Sequence, residues 1–253
     1  MLWMKKMKKI LLGLLLSYLP VTQIYASTDI DIVNQSIDDS KTFLDLSDTL
    51  IDKEFDAAQY MLASKNIELV PGHFFVIVDR GVNQLLMIIY PHSKDEWELI
   101  ASSHVSTGKP GRKEHFKTPT GVFQLDGSIL DYRAEGTFNQ NHIRGIGLKG
   151  SRVWDFGWQT TEDWRTQTDT MKIRMEMHAT DPANLEYRIG RADSEGCIRI
   201  PSKINKLLDI NGILDQHPND LVQEGDRAWK ALLGKNHKYL QSAGDTVIIV
   251  DVK

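Results

Sequence analysis

The sequence predicts a mainly β domain with flanking helices, preceded by a helical N-terminal segment and an export signal. Three observations carry this reading. Short β-branched and aromatic runs separated by turn residues fill the chain from Phe74 to Val105, and a similar run, Asp245 to Val252, lies near its other end. Between Ser36 and Ile67 there is neither Gly nor Pro, and apolar residues recur at helical spacing. Ahead of both, lysines are followed by a short apolar run.

Lys5, Lys6, Lys8 and Lys9 form a positive region, Ile10 to Leu19 an apolar one, and Ile24-Tyr25-Ala26 offers a small residue for cleavage. The apolar run is too short to span a bilayer, so residues 1–26 read as a signal peptide, and no transmembrane helix is expected after its removal. Cleavage takes away four lysines and no acid, so Lys plus Arg falls from 30 to 26 against 34 Asp plus Glu, a net charge of about −8. Nonspecific nucleic-acid binding, which needs clustered cations, is not expected of such a chain.

About 227 residues remain, enough for one large domain with an appendage. Residues 27–70 are that appendage: Phe43, Leu46, Leu50, Phe55, Ala58 and Met61 predict one long or two short amphipathic helices, opened by Asp38 and Asp39 and closed by Pro71-Gly72. Their apolar stripe is expected to pack on the domain at 71–253. There, strands at 74–78, 84–90 and 97–105 form an antiparallel meander, and Val122 to Leu125 forms another strand. The apolar strand at 245–252 has to be paired inside a sheet. Residues 126–175 mix six glycines with Trp154, Trp158 and Trp164, and read as an inserted, lid-like excursion.

The only cysteine is Cys197, in Ser194-Glu195-Gly196-Cys197-Ile198-Arg199. An exported chain with one cysteine has no disulfide partner of its own, which leaves a buried small hydrophobe or a reactive thiol. A thiol attacks a carbonyl as thiolate and needs a proton acceptor. His178, closing the strand-like Ile173 to His178, is the candidate base. Amides of Glu195, Gly196 and Cys197 are candidates for an oxyanion site, and Ser194 and Arg199 for substrate contact, Arg199 through a carboxylate. Other chemistries fit less well. Lys203 stands where a phosphatase loop wants Arg, the order of His and Cys is the reverse of papain's, and no spacing suits zinc, so neither metal nor cofactor is expected.

Ordered together, Ser106-Thr107-Gly108-Lys109-Pro110-Gly111, Thr118-Pro119-Thr120-Gly121-Val122-Phe123, His178 and Ser194 to Arg199 resemble the L,D-transpeptidase catalytic domain of bacterial cell-wall enzymes, over roughly residues 72–252. The resemblance implies a β-sandwich or barrel-like fold. It implies an acyltransferase that forms a thioester on Cys197 with a peptidoglycan stem peptide, His178 acting as base and the Ala179 carbonyl orienting the imidazole. Stem peptides are then donor and acceptor; an amine on a protein is a further acceptor, water gives a carboxypeptidase or endopeptidase, and an inactive wall-binding module is the reading of another class. The implied location is the periplasm of a Gram-negative bacterium. The family commonly has Gly where this chain has Ala179, and His where it has Glu195. Glu195 is expected to raise the thiol pKa if its carboxylate turns inward.

Overall fold

The computed structural model describes residues 29–37, 43–166 and 168–253, so the expected export signal and the expected helix-opening Asp38 and Asp39 lie outside the described residues. Among these, no helix is long and apolar enough to cross a membrane. The fold is mainly β, as the sequence predicts, and is built on two sheets.

The first sheet contains β1 (Phe75–Asp79), β2 (Leu85–Pro91), β3 (Trp97–His104), β4 (Gly121–Gln124) and β9 (Thr246–Val250) in the order β3-β2-β1-β9-β4. The meander β1 to β3 is antiparallel, whereas β9 enters parallel to β1 and antiparallel to β4. Every residue of β1, β2 and β9 is buried. The strands therefore have apolar cover on both faces, which explains continuous apolar runs where a one-sided sheet would alternate.

The second sheet runs β5-β6-β7-β8, from β5 (Tyr132–Arg133), β6 (Arg152–Glu162), β7 (Thr170–Ala179) and β8 (Ile198–Ile200). Residues 126–175, expected as an excursion, thus contain two strands and most of a third. The glycines that suggested a loop have local causes. Gly157, at φ +71°, sits in a bulge between Asp155 and Trp158 that interrupts the β6·β7 ladder, and such a bulge masks the period-2 pattern.

The main core lies between the sheets. Val76, Val78, Leu86, Ile88, Val247 and Ile249 face Trp154, Phe156, Met175, Met177, Ile198 and Ile200, with Ile204, Leu207 and Leu208 of α3 (Ser202–Asn211) closing one end. An isolated bridge between Ser106 and Arg199 joins the chain leaving β3 to β8, so edges of the two sheets meet.

The outer face of the first sheet is covered by α2 (Asp48–Ser64). Ala58 and Leu62 are buried against Phe75, Ile77, Met87, Ile248 and Val250, with Phe55 and Met61 packed alongside. The helix is shorter than its apolar spacing suggests. Phe43 and Leu46 precede it in chain that runs beside β3, where Leu44 donates to the Ser102 carbonyl at 3.0 Å and accepts the Ser102 hydroxyl at 2.7 Å. A short helix, α1, is described over residues 29–34, earlier than the predicted start. Its Val33 belongs to the main core, and Asp29 accepts the Ser242 amide.

Two buried charge clusters fix these layers. Arg152, fully buried, bonds Asp131 at 2.8 Å and Asp215 at 2.7 Å, and lies 3.6 Å from Asp209. Asp215 directly precedes α4 (Gln216–Gln223), and α5 (Arg227–Leu233) follows, its first turn capped by Asp226. Burial opposes the Arg152 charge, but the carboxylates of Asp215 and Asp131 outweigh it and hold its pKa up. Beneath α2, Glu54 is buried beside Asp79, with Asn83 donating to Oε1 at 3.1 Å. Burial first, then the Asp79 carboxylate, pushes the Glu54 carboxyl up to about 7.

Replacing Arg152 by Ala strands buried carboxylates and is expected to cost about 3–5 kcal/mol in urea unfolding. Glu54 behaves differently. Its folded pKa is raised, so the stability it contributes is complete below about 4.5 and is lost as pH rises through about 7. Glu54→Gln is therefore expected to be more stable than wild type at pH 8.5, with the gap in urea midpoint closing toward pH 4.5.

Candidate active site

The sequence Lys172-Ile173-Arg174-Met175-Glu176-Met177-His178-Ala179 alternates strictly, and β7 uses the alternation. Ile173, Met175, Met177 and Ala179 are buried inward, which turns Arg174, Glu176 and His178 to the opposite face. Strand β8 runs parallel to β7, with Met177 opposite Ile198 and His178 opposite Arg199. Cys197, in the bend just before β8, precedes the first of these pairs as Glu176 does on β7, and its thiol accepts the Glu176 amide. Cys197 and Arg199 therefore share the face of Glu176 and His178, away from Ile198 and Ile200 in the core. His178 and Cys197 sit diagonally across the pair, roughly 8 Å apart between Cα positions from ordinary strand spacing. Strand β6 completes the grid: Val153 lies beside His178, Asp155 beside Glu176, and Trp158 beside Arg174.

This face is closed at one end and open at the other. Val153, Asp155 and His178 are buried; Cys197, Glu176 and Arg199 are half-buried, and Trp158 is exposed. The chain after His178 is pinned by Asp181, fully buried, which accepts the Arg144 amide at 2.9 Å and the Ala183 amide at 3.0 Å. Arg144 lies over the Phe138 ring, 3.9 Å from its centroid, so part of the 126–175 segment docks beside the histidine.

His178 Nδ1 is 2.7 Å from the Ala179 carbonyl. A carbonyl only accepts, so Nδ1 carries the proton and Nε2 keeps its lone pair. Burial is the main reason the imidazole pKa falls to about 4, with the Arg199 charge adding to it and the Ala179 bond opposing it. At neutral pH this histidine is an uncharged base.

Cys197 is pushed the other way, up to about 11. Burial dominates and the Glu176 carboxylate follows, while a hydrogen bond from the Glu176 amide and the Arg199 charge pull down. Glu195, expected to be the disturbing acid, is exposed and makes the smallest contribution. The acid beside the thiol is Glu176, which sequence reading passed over although it stands two residues before His178 in an alternating strand.

The loop before Cys197 is held by internal bonds. Ser194 is fully buried, donates to the Cys197 carbonyl at 2.5 Å and accepts the Gly196 amide at 3.1 Å. Its hydroxyl is thus committed within the turn, and the Gly196 amide is committed to that hydroxyl. Thr118 Oγ1 donates to the Gly196 carbonyl and accepts the Gly108 amide, both at 2.8 Å, which welds the two upstream motifs to this loop. Gly108 has no room for a side chain: a Cβ would stand 1.9 Å from the Phe116 carbonyl oxygen and 2.9 Å from Gly196 Cα. Gln84, itself at φ +48°, clamps the same stretch by accepting the Thr107 amide at 2.8 Å and its hydroxyl at 3.0 Å. Arg199 donates to the Asp193 carbonyl at 3.1 Å, and its buried Nε has no hydrogen-bond partner among the described residues.

Among the described residues no three His, Cys, Asp or Glu side chains group as metal ligands. A cleft of about 620 Å³ between the end of α2 and Pro91 to Trp97 lies behind the first sheet and contains none of these residues.

The family model of the YkuD L,D-transpeptidase catalytic domain matches residues 73–249. The chain belongs to this family. Comparison with curated proteins finds no match. Among solved structures, the chain is similar to a fused Zn-dependent amidase/peptidase/peptidoglycan-binding domain-containing protein from Clostridium acetobutylicum, at 14% identity and TM-score 0.29, covering 81% of this chain and 65% of that one. It is also similar to an L,D-transpeptidase from Xylanimonas cellulosilytica, at 13% identity and TM-score 0.32, covering 76% of this chain and 68% of that one. The chain thus spans just under two thirds of the first structure's length.

Within the YkuD domain, two outcomes are expected from the site's geometry. Gly108→Ala should lower stability by about 1–3 kcal/mol and change the alkylation rate of Cys197, because the Cys loop has to shift. Iodoacetamide labelling of wild-type Cys197 should climb through alkaline pH toward about 11. Removing the adjacent charge in Glu176→Gln should move that profile to lower pH.

Proposed function

We propose that this protein is a cysteine-dependent L,D-transpeptidase that acts on peptidoglycan stem peptides through a thioester on Cys197. Its family supports the substrate class. The observation that carries the chemistry is the single face shared by Cys197 and His178, with the imidazole oriented by Ala179 so that its basic nitrogen is free.

The resting pair is a neutral thiol and a neutral imidazole, since a thiol near 11 does not yield its proton to a base near 4 in advance. Proton transfer accompanies attack. Cys197 Sγ bonds to the carbonyl carbon of the third, L-centred stem residue as its proton passes to His178 Nε2. The amides of Glu195 and Cys197 are the remaining candidates to meet the oxyanion, and the half-buried Arg199 guanidinium is the candidate to receive a substrate carboxylate. The tetrahedral intermediate collapses, the C–N bond to terminal D-alanine breaks, and His178 returns the proton to the leaving amine. An amine from a second stem then attacks the thioester and gives a 3-3 crosslink. The lysine-rich leader and the wall substrate together support an exported protein of the periplasm.

Mass spectrometry of tetrapeptide muropeptides incubated with the protein tests this reading. Dimers are expected with wild type; tripeptides alone would make the enzyme a hydrolase, and no Cys197-dependent product would overturn both. Cys197→Ala should abolish turnover, and His178→Ala should lower it about 10²–10⁴-fold. A carbapenem should add its intact mass to wild type and not to Cys197→Ala.

A further inference from the structure

Glu176 lies beside Cys197, whose thiol accepts the Glu176 amide and feels its carboxylate, and the two-residue mechanism leaves that carboxylate without a task. The Tyr132 hydroxyl, from β5, donates to Glu176 Oε1 at 2.9 Å. Arg174, two positions earlier on the same face, does not neutralise it at contact, because its Nε and a terminal nitrogen are committed to Asp155. Tyr132 is 37% exposed and Trp158 63%, so solvent reaches the thiol from the Glu176 side, while His178, at 4%, is enclosed on the other. An incoming nucleophile has to arrive where the face is open.

We propose that the Glu176 carboxylate, held by Tyr132, seats the ammonium of a cationic amine against the thioester at Cys197 and takes its proton. This rests on the thioester reading above. An ammonium has no lone pair and cannot attack. Transfer of one proton from R–NH₃⁺ to Glu176 frees the pair, which forms the C–N bond at the thioester carbonyl carbon. The tetrahedral intermediate then expels sulfur: the C–S bond breaks, its electrons return to Sγ, and the second amine proton passes through His178 Nε2 to the sulfur. The products are an amide, the thiol of Cys197 and one proton on Glu176, which solvent removes. Burial, which lifts the Glu176 carboxyl above the usual range, makes it a better proton acceptor than an exposed acid. Water carries no charge to be seated, so the same carboxylate favours transfer over hydrolysis.

The test compares two nucleophiles on one acyl-enzyme. Wild type, Glu176→Gln, Glu176→Asp and Tyr132→Phe are acylated with a stem tetrapeptide, and loss of the adduct is followed by intact mass with methylamine, a cation at pH 7, or hydroxylamine, which is neutral there. The ratio of the methylamine rate to the hydroxylamine rate should fall at least about tenfold in Glu176→Gln, with smaller falls in Tyr132→Phe and Glu176→Asp. A merely structural role would slow both nucleophiles together and leave the ratio unchanged, which overturns the proposal. An absence of any adduct on wild type sinks the thioester reading and this inference with it. An adduct whose ratio ignores Glu176 sinks this inference alone.

Discussion

A buried guanidinium holds the second sheet to the helices behind it. Arg152 opens β6, and its side chain reaches Asp131, just before β5, and Asp215, just before α4. Its backbone is gripped as well: the Arg152 amide donates to Asn205 Oδ1 at 3.2 Å and its carbonyl accepts Asn205 Nδ2 at 2.7 Å, from α3. A charge removed from water is tolerated only when its neighbours are arranged for it, so this cluster selects one placement of β6 against α3 and α4. Strand β6 in turn sets β7, and β7 carries the histidine and the glutamate beside the thiol. The candidate site is thus held in position from beneath by a buried polar network.

Above that support, the constraint is register. Because side chains alternate along a strand, a slip of one residue between β7 and β8 would turn Cys197 and Arg199 into the core and expose Ile198 and Ile200. Burial of Met175, Met177, Ile198 and Ile200 therefore fixes how Cys197 stands to His178. Core and chemistry are two faces of one pairing. The loops add the remaining precision, with Thr118 tying Gly108 to Gly196 at a distance that admits no side chain.

The meander and the final strand were legible because continuous apolar runs ended by turn residues leave little choice, and the helical segment was legible because it contains no breaker. The limits of α2 were not: Phe43 and Leu46 keep a helical spacing yet lie along a sheet edge, since tertiary bonding to Ser102 outweighs propensity there. The second sheet was hidden by the bulge at Gly157, which puts a glycine and an extra residue into a strand. Cys197 and His178 stand out in the sequence by residue type and motif. Glu176 does not, because its place beside the thiol comes from the neighbouring segment at Cys197, which the alternation along Ile173 to Ala179 does not name. Glu195, adjacent to the thiol in sequence, is exposed to solvent.

Strand β9 sits second from the edge of the first sheet, between β1 and β4, parallel to the strand with which that sheet begins. Two strands made far earlier wait for it with unpaired edges. Until residues 246–250 are in place the sheet has a gap, α2 has only part of its docking surface, and the main core lacks Val247 and Ile249. Contacts this distant in sequence are entropically slow to close. Closure of the first sheet therefore depends on pairings among the most distant in sequence, β9 with β1 and with β4.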